Sequence, residues 1–230
     1  MYTAILQVII GLILSSFALA GPLAGQGTWE TTLHGRDMDG NAKNGFEAYY
    51  DSSLNITWLK DAGGLNSTAS WDDAQAWVSN LNIAGVSGWR LPAYLGTGGP
   101  NYNFQGGSNA GYRPNPVTSE LAHLYYITLG NAGYPSSGYG VKNTAEFDNI
   151  ASYYYWLNDS YGRSEAWLFS TEGGNQGTDR KVLKFYAWAV HAGDVGTPYA
   201  SAVPEPSSLA LFAAGLGLMM TVSRRKKVKS

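Results

Sequence analysis

The sequence predicts an α+β fold of two helices and about five or more antiparallel strands, flanked by an N-terminal signal helix and a C-terminal transmembrane helix. Three observations point there. Two segments carry apolar residues at helical spacing behind a capping residue. At least five short runs are rich in aromatic and β-branched residues and are separated by Gly- and Asn-rich stretches. The two ends are apolar and free of charge over a length that suits membranes rather than a globular core.

At the N-terminus, Ala4 to Ala20 is an apolar run ending in Ala18-Leu19-Ala20 before Gly21-Pro22. Small residues at Ala18 and Ala20 form a signal peptidase site, so residues 1–20 read as a signal peptide handed to the secretion translocon. Met1-Tyr2-Thr3 lacks the usual positive charge, which points to a start codon upstream. Residues 21–45 then form an N-terminal extension. Asp37-Met38-Asp39-Gly40-Asn41 in it clusters hard oxygen donors, but glycine and glutamate do not fall at the sixth and twelfth positions of an EF-hand. Asp37 and Asp39 are therefore weak calcium candidates, and a polar hairpin turn explains the cluster equally well.

The folded domain is expected over 46–194. Glu47–Tyr50 and Ile56–Leu59 read as strands. Ser70 caps a helix with Asp73 three residues on, and Ala74, Trp77, Val78 and Leu81 form its apolar stripe. A Gly-rich insertion covers 93–117 and carries Tyr102, Phe104 and Tyr112, a setting in which long loops often bind ligands. Thr118 caps the second helix, Leu121, Leu124, Tyr125 and Thr128 face one side, and Gly130 ends it. Tyr153–Leu157, Ala166–Ser170 and Val182–Val190 complete the strands, with Glu172 to Gly177 as the hairpin turn between the last two.

Ile56-Thr57-Trp58-Leu59-Lys60-Asp61-Ala62, Trp71-Asp72-Asp73-Ala74, Gly88-Trp89-Arg90-Leu91-Pro92, Glu120-Leu121, Tyr155-Trp156, Ala166-Trp167 and Trp188-Ala189-Val190 follow one another in an order that resembles the Lcl C-terminal-like domain, a domain of unknown function. The resemblance implies a C-type-lectin-like fold, with Trp58, Trp89, Arg90, Leu91, Pro92, Trp156, Trp167 and Trp188 as structural residues. The insertion and His191, where the family has Arg, depart from it. Trp156-Leu157-Asn158-Asp159 is similar to the Trp-Asn-Asp of calcium-dependent sugar-binding lectins, with one extra leucine, which adds Asn158 and Asp159 to the calcium candidates.

After a linker at 195–203 comes Pro204-Glu205-Pro206, then a charge-free stretch to Ser223 that would span about 27 Å as a helix, close to a hydrocarbon core of ~30 Å. Residues 207–223 read as the transmembrane helix. Arg224, Arg225, Lys226, Lys227 and Lys229 follow and hold that end in the cytoplasm. Residues 204–230 resemble the PEP-CTERM sorting signal of Gram-negative bacteria that make exopolysaccharide. The resemblance implies recognition of Pro204-Glu205-Pro206 by an exosortase, and transfer of the domain to the cell surface or extracellular matrix.

Between Gly21 and Val203 there are 10 Lys and Arg against 16 Asp and Glu, a net charge of about −6, which disfavours nucleic acid. The absence of Cys removes disulfides, thiolate nucleophiles and Cys-ligated zinc. His34, His123 and His191 stand in no known catalytic motif, and no phosphate loop or nucleophile elbow is present. The expectation is an exported, non-enzymatic surface or matrix protein that binds exopolysaccharide or another envelope component. A structural matrix component without a ligand site, or a glycoside hydrolase built on two carboxylates, is the alternative.

Overall fold

A computed structural model of the protein describes residues 21–41 and 43–199, and shows mostly antiparallel sheet with few helices, arranged as two sheets. The signal peptide with Ala18 and Ala20, the sorting motif, the 207–223 segment and the basic cluster lie outside the described residues. Among those described, no helix is long and apolar enough to cross a membrane.

The first sheet holds β1 (Leu33–Asp37), β2 (Ala48–Asp51), β3 (Ile56–Leu59), β8 (Val190–Ala192) and β9 (Thr197–Pro198) in the order β8-β3-β2-β1-β9. The second holds β4 (Gly111–Tyr112), β5 (Tyr154–Tyr161), β6 (Glu165–Ser170) and β7 (Asn175–Arg180) in the order β4-β7-β6-β5. A one-turn helix, α1 (Trp29–Thr32), precedes β1. The helix expected behind Ser70 is α2 (Trp71–Asn80). Its N-cap is formed, with Ser70 Oγ accepting from the Asp73 amide and donating to the Asp73 carboxylate.

The second helix departs from expectation at its start and in the form of its last turn, and ends at Gly130 as expected. Ser119, not Thr118, accepts the first free amide, that of Ala122, and starts α3 (Glu120–His123). Thr118 ends a preceding 3₁₀ turn, Pro116–Thr118, which already fixes its backbone. From Leu124 the helix widens to a π turn closed by the Leu129 amide on the Leu124 carbonyl. Gly130 stops it at φ +65, where an added Cβ would stand 2.6 Å from the Gly27 nitrogen, so two glycines meet where the chain start crosses the helix end.

Three strand expectations are corrected. Asn175–Arg180, read in part as a turn, is a full strand between β4 and β6, and the real turn is Thr171 to Gly174. Its residues Asn-Gln-Gly-Thr-Asp-Arg carry no aromatic signal because the strand is held by ladder bonds and by Gln176 rather than by apolar side chains. Val182–Ala189 is not a strand, and only Val190 enters one, as the first residue of β8. Phe185 pairs with Ala69, Tyr186 with Tyr154 and Trp156, Ala189 with Leu59 and Val190 with Arg90, so the segment changes partner every few residues and stitches the two sheets together. Its aromatic content reports burial rather than pairing. Leu33–Asp37, in the segment read as an extension, is a central strand of the first sheet, and Asn143 fastens the residues before it by bonds to Leu23 and Gln26.

The core is aromatic. Trp58, Trp156, Trp167 and Trp188 are each at most 2% exposed and Trp89 is 3% exposed. Three of these indoles reach acceptors, Trp188 donating to Leu59 O at 2.7 Å, Trp156 to Ala69 O at 3.0 Å and Trp89 to Val86 O at 3.0 Å, whereas Trp58 Nε1 is buried without one among the described residues. Arg90 forms a two-bond pair with Glu120, both bonds 2.7 Å long, and Glu120 also accepts the Ala93 amide at 2.7 Å.

Two measurements check this picture. Glu120→Ala leaves the Arg90 guanidinium and the Ala93 amide without their partner, and costs about 3 kcal/mol, read as a lower urea midpoint, while Arg90→Lys costs less. Tyr49, Tyr125 and Tyr155 are at most 4% exposed. Burial holds their hydroxyls above the usual tyrosine range, reinforced at Tyr49 by Glu146. The unfolded chain releases these protons near pH ~10 and the native chain keeps them. Stability is therefore complete below that pH and falls above it, by at most roughly 1.4 kcal/mol per group per pH unit. Urea titration between neutral and strongly alkaline pH reads the slope.

Candidate functional site

The insertion 93–117 is ordered by short polar side chains rather than by a core of its own. Asn103 donates to Gly106 O and accepts from Gln105 N, Ser108 donates to Asn101 O and Ala110 O, and Asn109 donates to Tyr94 Oη and Gly99 O. Its base is closed by two backbone bonds, Leu95 N to Thr118 O and Glu120 N to Ala93 O, beside the Arg90–Glu120 pair. Tyr94 stacks on Trp167 with ring centres 3.8 Å apart. The far limb becomes β4 and adds itself to the edge of β7.

Gln176 secures that edge. It is 1% exposed, donates to Asn109 O at 2.8 Å and Thr118 Oγ1 at 3.1 Å, and accepts from Ser119 at 2.5 Å. A buried amide with every one of these bonds made is rigidifying, whereas a half-made set would be costly.

Register then brings a face together. Asn175 pairs with Tyr112 and Ser170, Ser170 with Tyr154, and Gly177 with Leu168, so alternation sends Tyr112, Asn175, Gly177, Leu168 and Tyr154 to one side of the second sheet. Tyr102 lies over Gly177, where an added Cβ would stand 3.0 Å from the tyrosine oxygen, and its hydroxyl accepts from the Thr178 amide at 3.2 Å. Phe104 completes the wall. Together they enclose a cavity of about 200 Å³, edged by Asn175, Thr178 and Asp179. All three aromatic residues singled out in the insertion thus converge on one hollow.

The rings continue beyond it. Tyr102 to Phe104, Phe104 to Tyr112, Tyr112 to Tyr134 and Tyr134 to Tyr139 have centres 6.4, 5.6, 4.9 and 5.3 Å apart. Tyr102 and Phe104 are 50% and 60% exposed, far more than packing alone requires. Burial raises the pKa of Tyr154, so the hydroxyl at the cavity wall stays a neutral donor. Among the described residues lining the hollow, Asp179 is the only charge. Aromatic faces bounded by amide, hydroxyl and one carboxylate match the apolar faces and hydroxyl edges of a sugar ring.

Sequence reasoning missed the floor and edge of this cavity: Asn175 and Gln176 were read in a turn, Thr178 and Asp179 in no element, and Tyr154, although read in a strand, was given no neighbouring β7 to set its face. Tyr134 and Tyr139 were also missed, although Gly133, Gly138 and Gly140 give them the same aromatic-in-glycine setting that marked the insertion.

The four calcium candidates do not meet at one place, and only Asp37 and Asp39 join a carboxylate cluster that could hold a metal ion. Asp37 and Asp39 meet Glu47, with ligand atoms within 4.8 Å of one another. Their oxygens already accept the amides of Met38, Gly40 and Asn41 and the Asn44 side chain, the bonding of a polar turn. Bonds to Asn41 and Asn44 also lower the Asp39 pKa. Asn158 and Asp159 are elsewhere: Asn158 accepts from Gln75, and Asp159 accepts the Tyr94 amide at the base of the insertion. Leu91 and Pro92 are buried, and the Pro92 carbonyl takes the Asn158 amide at 2.8 Å.

No curated protein matches the chain. Residues 202–227 match the PEP-CTERM protein-sorting motif, which indicates an exosortase-processed protein of the cell surface or the extracellular space.

Proposed function

We propose that the domain is a non-enzymatic, C-type-lectin-like module that binds exopolysaccharide, or a similar envelope glycan, at the hollow between the insertion and the second sheet. The observation that carries this reading is the convergence of Tyr102, Phe104 and Tyr112 on a polar-edged cavity in a chain bearing a surface-sorting motif. Two helices with antiparallel sheets suit the lectin-like fold. Binding is favoured over hydrolysis because the two-carboxylate mechanism needs a second acid, and Asp179 is the only one lining this hollow among the described residues. Residues 207–223 hold the precursor in the membrane with the basic cluster inside, until the exosortase acts at Pro204-Glu205-Pro206.

Two experiments test the reading. In an exopolysaccharide pull-down, alanine at Tyr102, Phe104 and Tyr112 together lowers binding at least about tenfold, since stacked aromatic contacts contribute ~0.5–1.5 kcal/mol each. Gly177→Val, which displaces the Tyr102 ring, does the same with little change in melting temperature. Wild type that binds no glycan leaves a structural matrix component, and a triple variant that binds like wild type places the site elsewhere. For processing, replacing Pro204, Glu205 and Pro206 with alanine leaves an uncut precursor in the envelope, seen by intact-mass analysis, whereas the natural chain is recovered in a shorter form.

A further inference from the structure

A second hollow, of about 170 Å³, opens where α1, β1 and β2 meet the end of the described chain. Trp29, Leu33, Phe46, Tyr49 and Tyr199 line it together with two carboxylates, Glu30 and Glu146, and no cationic side chain. Gly35 forms part of its wall, where an added Cβ would stand 3.1 Å from the Phe46 ring. Phe46 is thereby packed against Tyr49 and Tyr199, with ring centres 4.8 and 5.1 Å away.

The carboxylates are only half used. Glu146 accepts the Tyr49 hydroxyl at 2.8 Å through Oε2, and Glu30 accepts the Gly25 amide at 3.0 Å through Oε2. Among the described residues neither forms an ion pair. Lys60, the nearest precedent for a cation here, places its ammonium 5.0 Å from the Phe46 ring centre but is paired with Asp148 and does not line the hollow. Aromatic faces plus unpaired carboxylates in a recess of this size complement a positive charge spread over a few carbons, because the ring quadrupoles attract it and the carboxylates neutralise it.

We propose that this hollow binds a small organic ammonium group, with Trp29, Phe46 and Tyr199 supplying ring faces and Glu30 and Glu146 the counter-charge. Its position beside Tyr199, five residues before Pro204, allows two sources of that chemistry: the amine of an amino sugar in the matrix, or the ethanolamine headgroup of a lipid at the membrane to which the sorting motif leads. This site shares no residue with the glycan cavity, so it stands or falls alone.

Tryptophan fluorescence and melting temperature of the full-length chain in neutral detergent, titrated with tetramethylammonium, glucosamine and glycerophosphoethanolamine, test the proposal. Saturable binding is expected for tetramethylammonium and at least one of the other two, and whichever of those binds more tightly identifies the source. Glu146→Gln, at an exposed position, and Trp29→Leu, at the rim of the core, each weaken binding about tenfold or more, with melting temperature as the check on folding. Three results would overturn the proposal: no response to any ammonium probe, equal binding of neutral N-acetylglucosamine, or unchanged binding in both variants.

Discussion

The pair between Arg90 and Glu120 is the constraint on which the functional face rests. Glu120 is 5% exposed, so its charge is tenable only with a partner, and Arg90 meets it with two parallel bonds. The same carboxylate takes the Ala93 amide, and the Glu120 amide returns a bond to Ala93 O. One side chain therefore ties the Trp-Arg-Leu-Pro turn, the start of α3 and the first residue of the insertion. Through Val190, bonded to the Arg90 backbone in both directions, the tie reaches the segment that stitches the sheets. Such a pair adds little net stability compared with a well-packed apolar substitute. What it fixes is geometry: the two ends of a 25-residue loop are held at one spacing, and the loop's rings are aimed accordingly.

Stability comes from the tryptophan core, and the division of labour is visible in how each region satisfies its polar groups. Fully burying one large side chain contributes roughly 1.5–3 kcal/mol, so the four most buried tryptophans outweigh any single ion pair. In the insertion the ordering agents are amides and hydroxyls, Asn103, Asn109, Ser108 and the buried Gln176. Tyr94, stacked on Trp167, and Tyr102, bonded to the Thr178 amide, anchor the loop, while Tyr102 and Phe104 remain half exposed or more.

This arrangement explains which parts were legible in the sequence. The start of α2 was readable to the residue because its cap is local chemistry, Ser70 and Asp73 acting on each other, whereas Leu81, counted in its apolar stripe, is the extended C-cap. Ile56–Leu59 and the core of β5 and β6 were readable because strands packed between layers must be aromatic or branched. The polar strand β7 was not, since it has no apolar pattern of its own and is held between its hairpin neighbour β6 and the distant Gly111 and Tyr112. The 182–190 segment misled for the converse reason: burial and ladder pairing both select apolar residues, and only the fold distinguishes them. The exposed rings of the insertion stood out by composition, while the floor beneath them depended on the strand that could not be seen.

The end of the described chain adds a last constraint. β9 runs antiparallel to the edge of β1, with Arg36 opposite Pro198 and Asp37 opposite Thr197, and the Tyr199 amide donates to Gly35 O. Proline at an edge strand forgoes no ladder bond it could have made inward, and it discourages a further chain from adding there. The domain is thus zipped shut to within five residues of Pro204, a reach of at most about 18 Å for extended chain. Wherever the sorting motif is gripped, the folded body must stand within that distance, and the acidic aromatic hollow around Tyr199 is the part of it held nearest. β9 lies ahead of the motif in the chain, so processing there leaves the first sheet its edge strand.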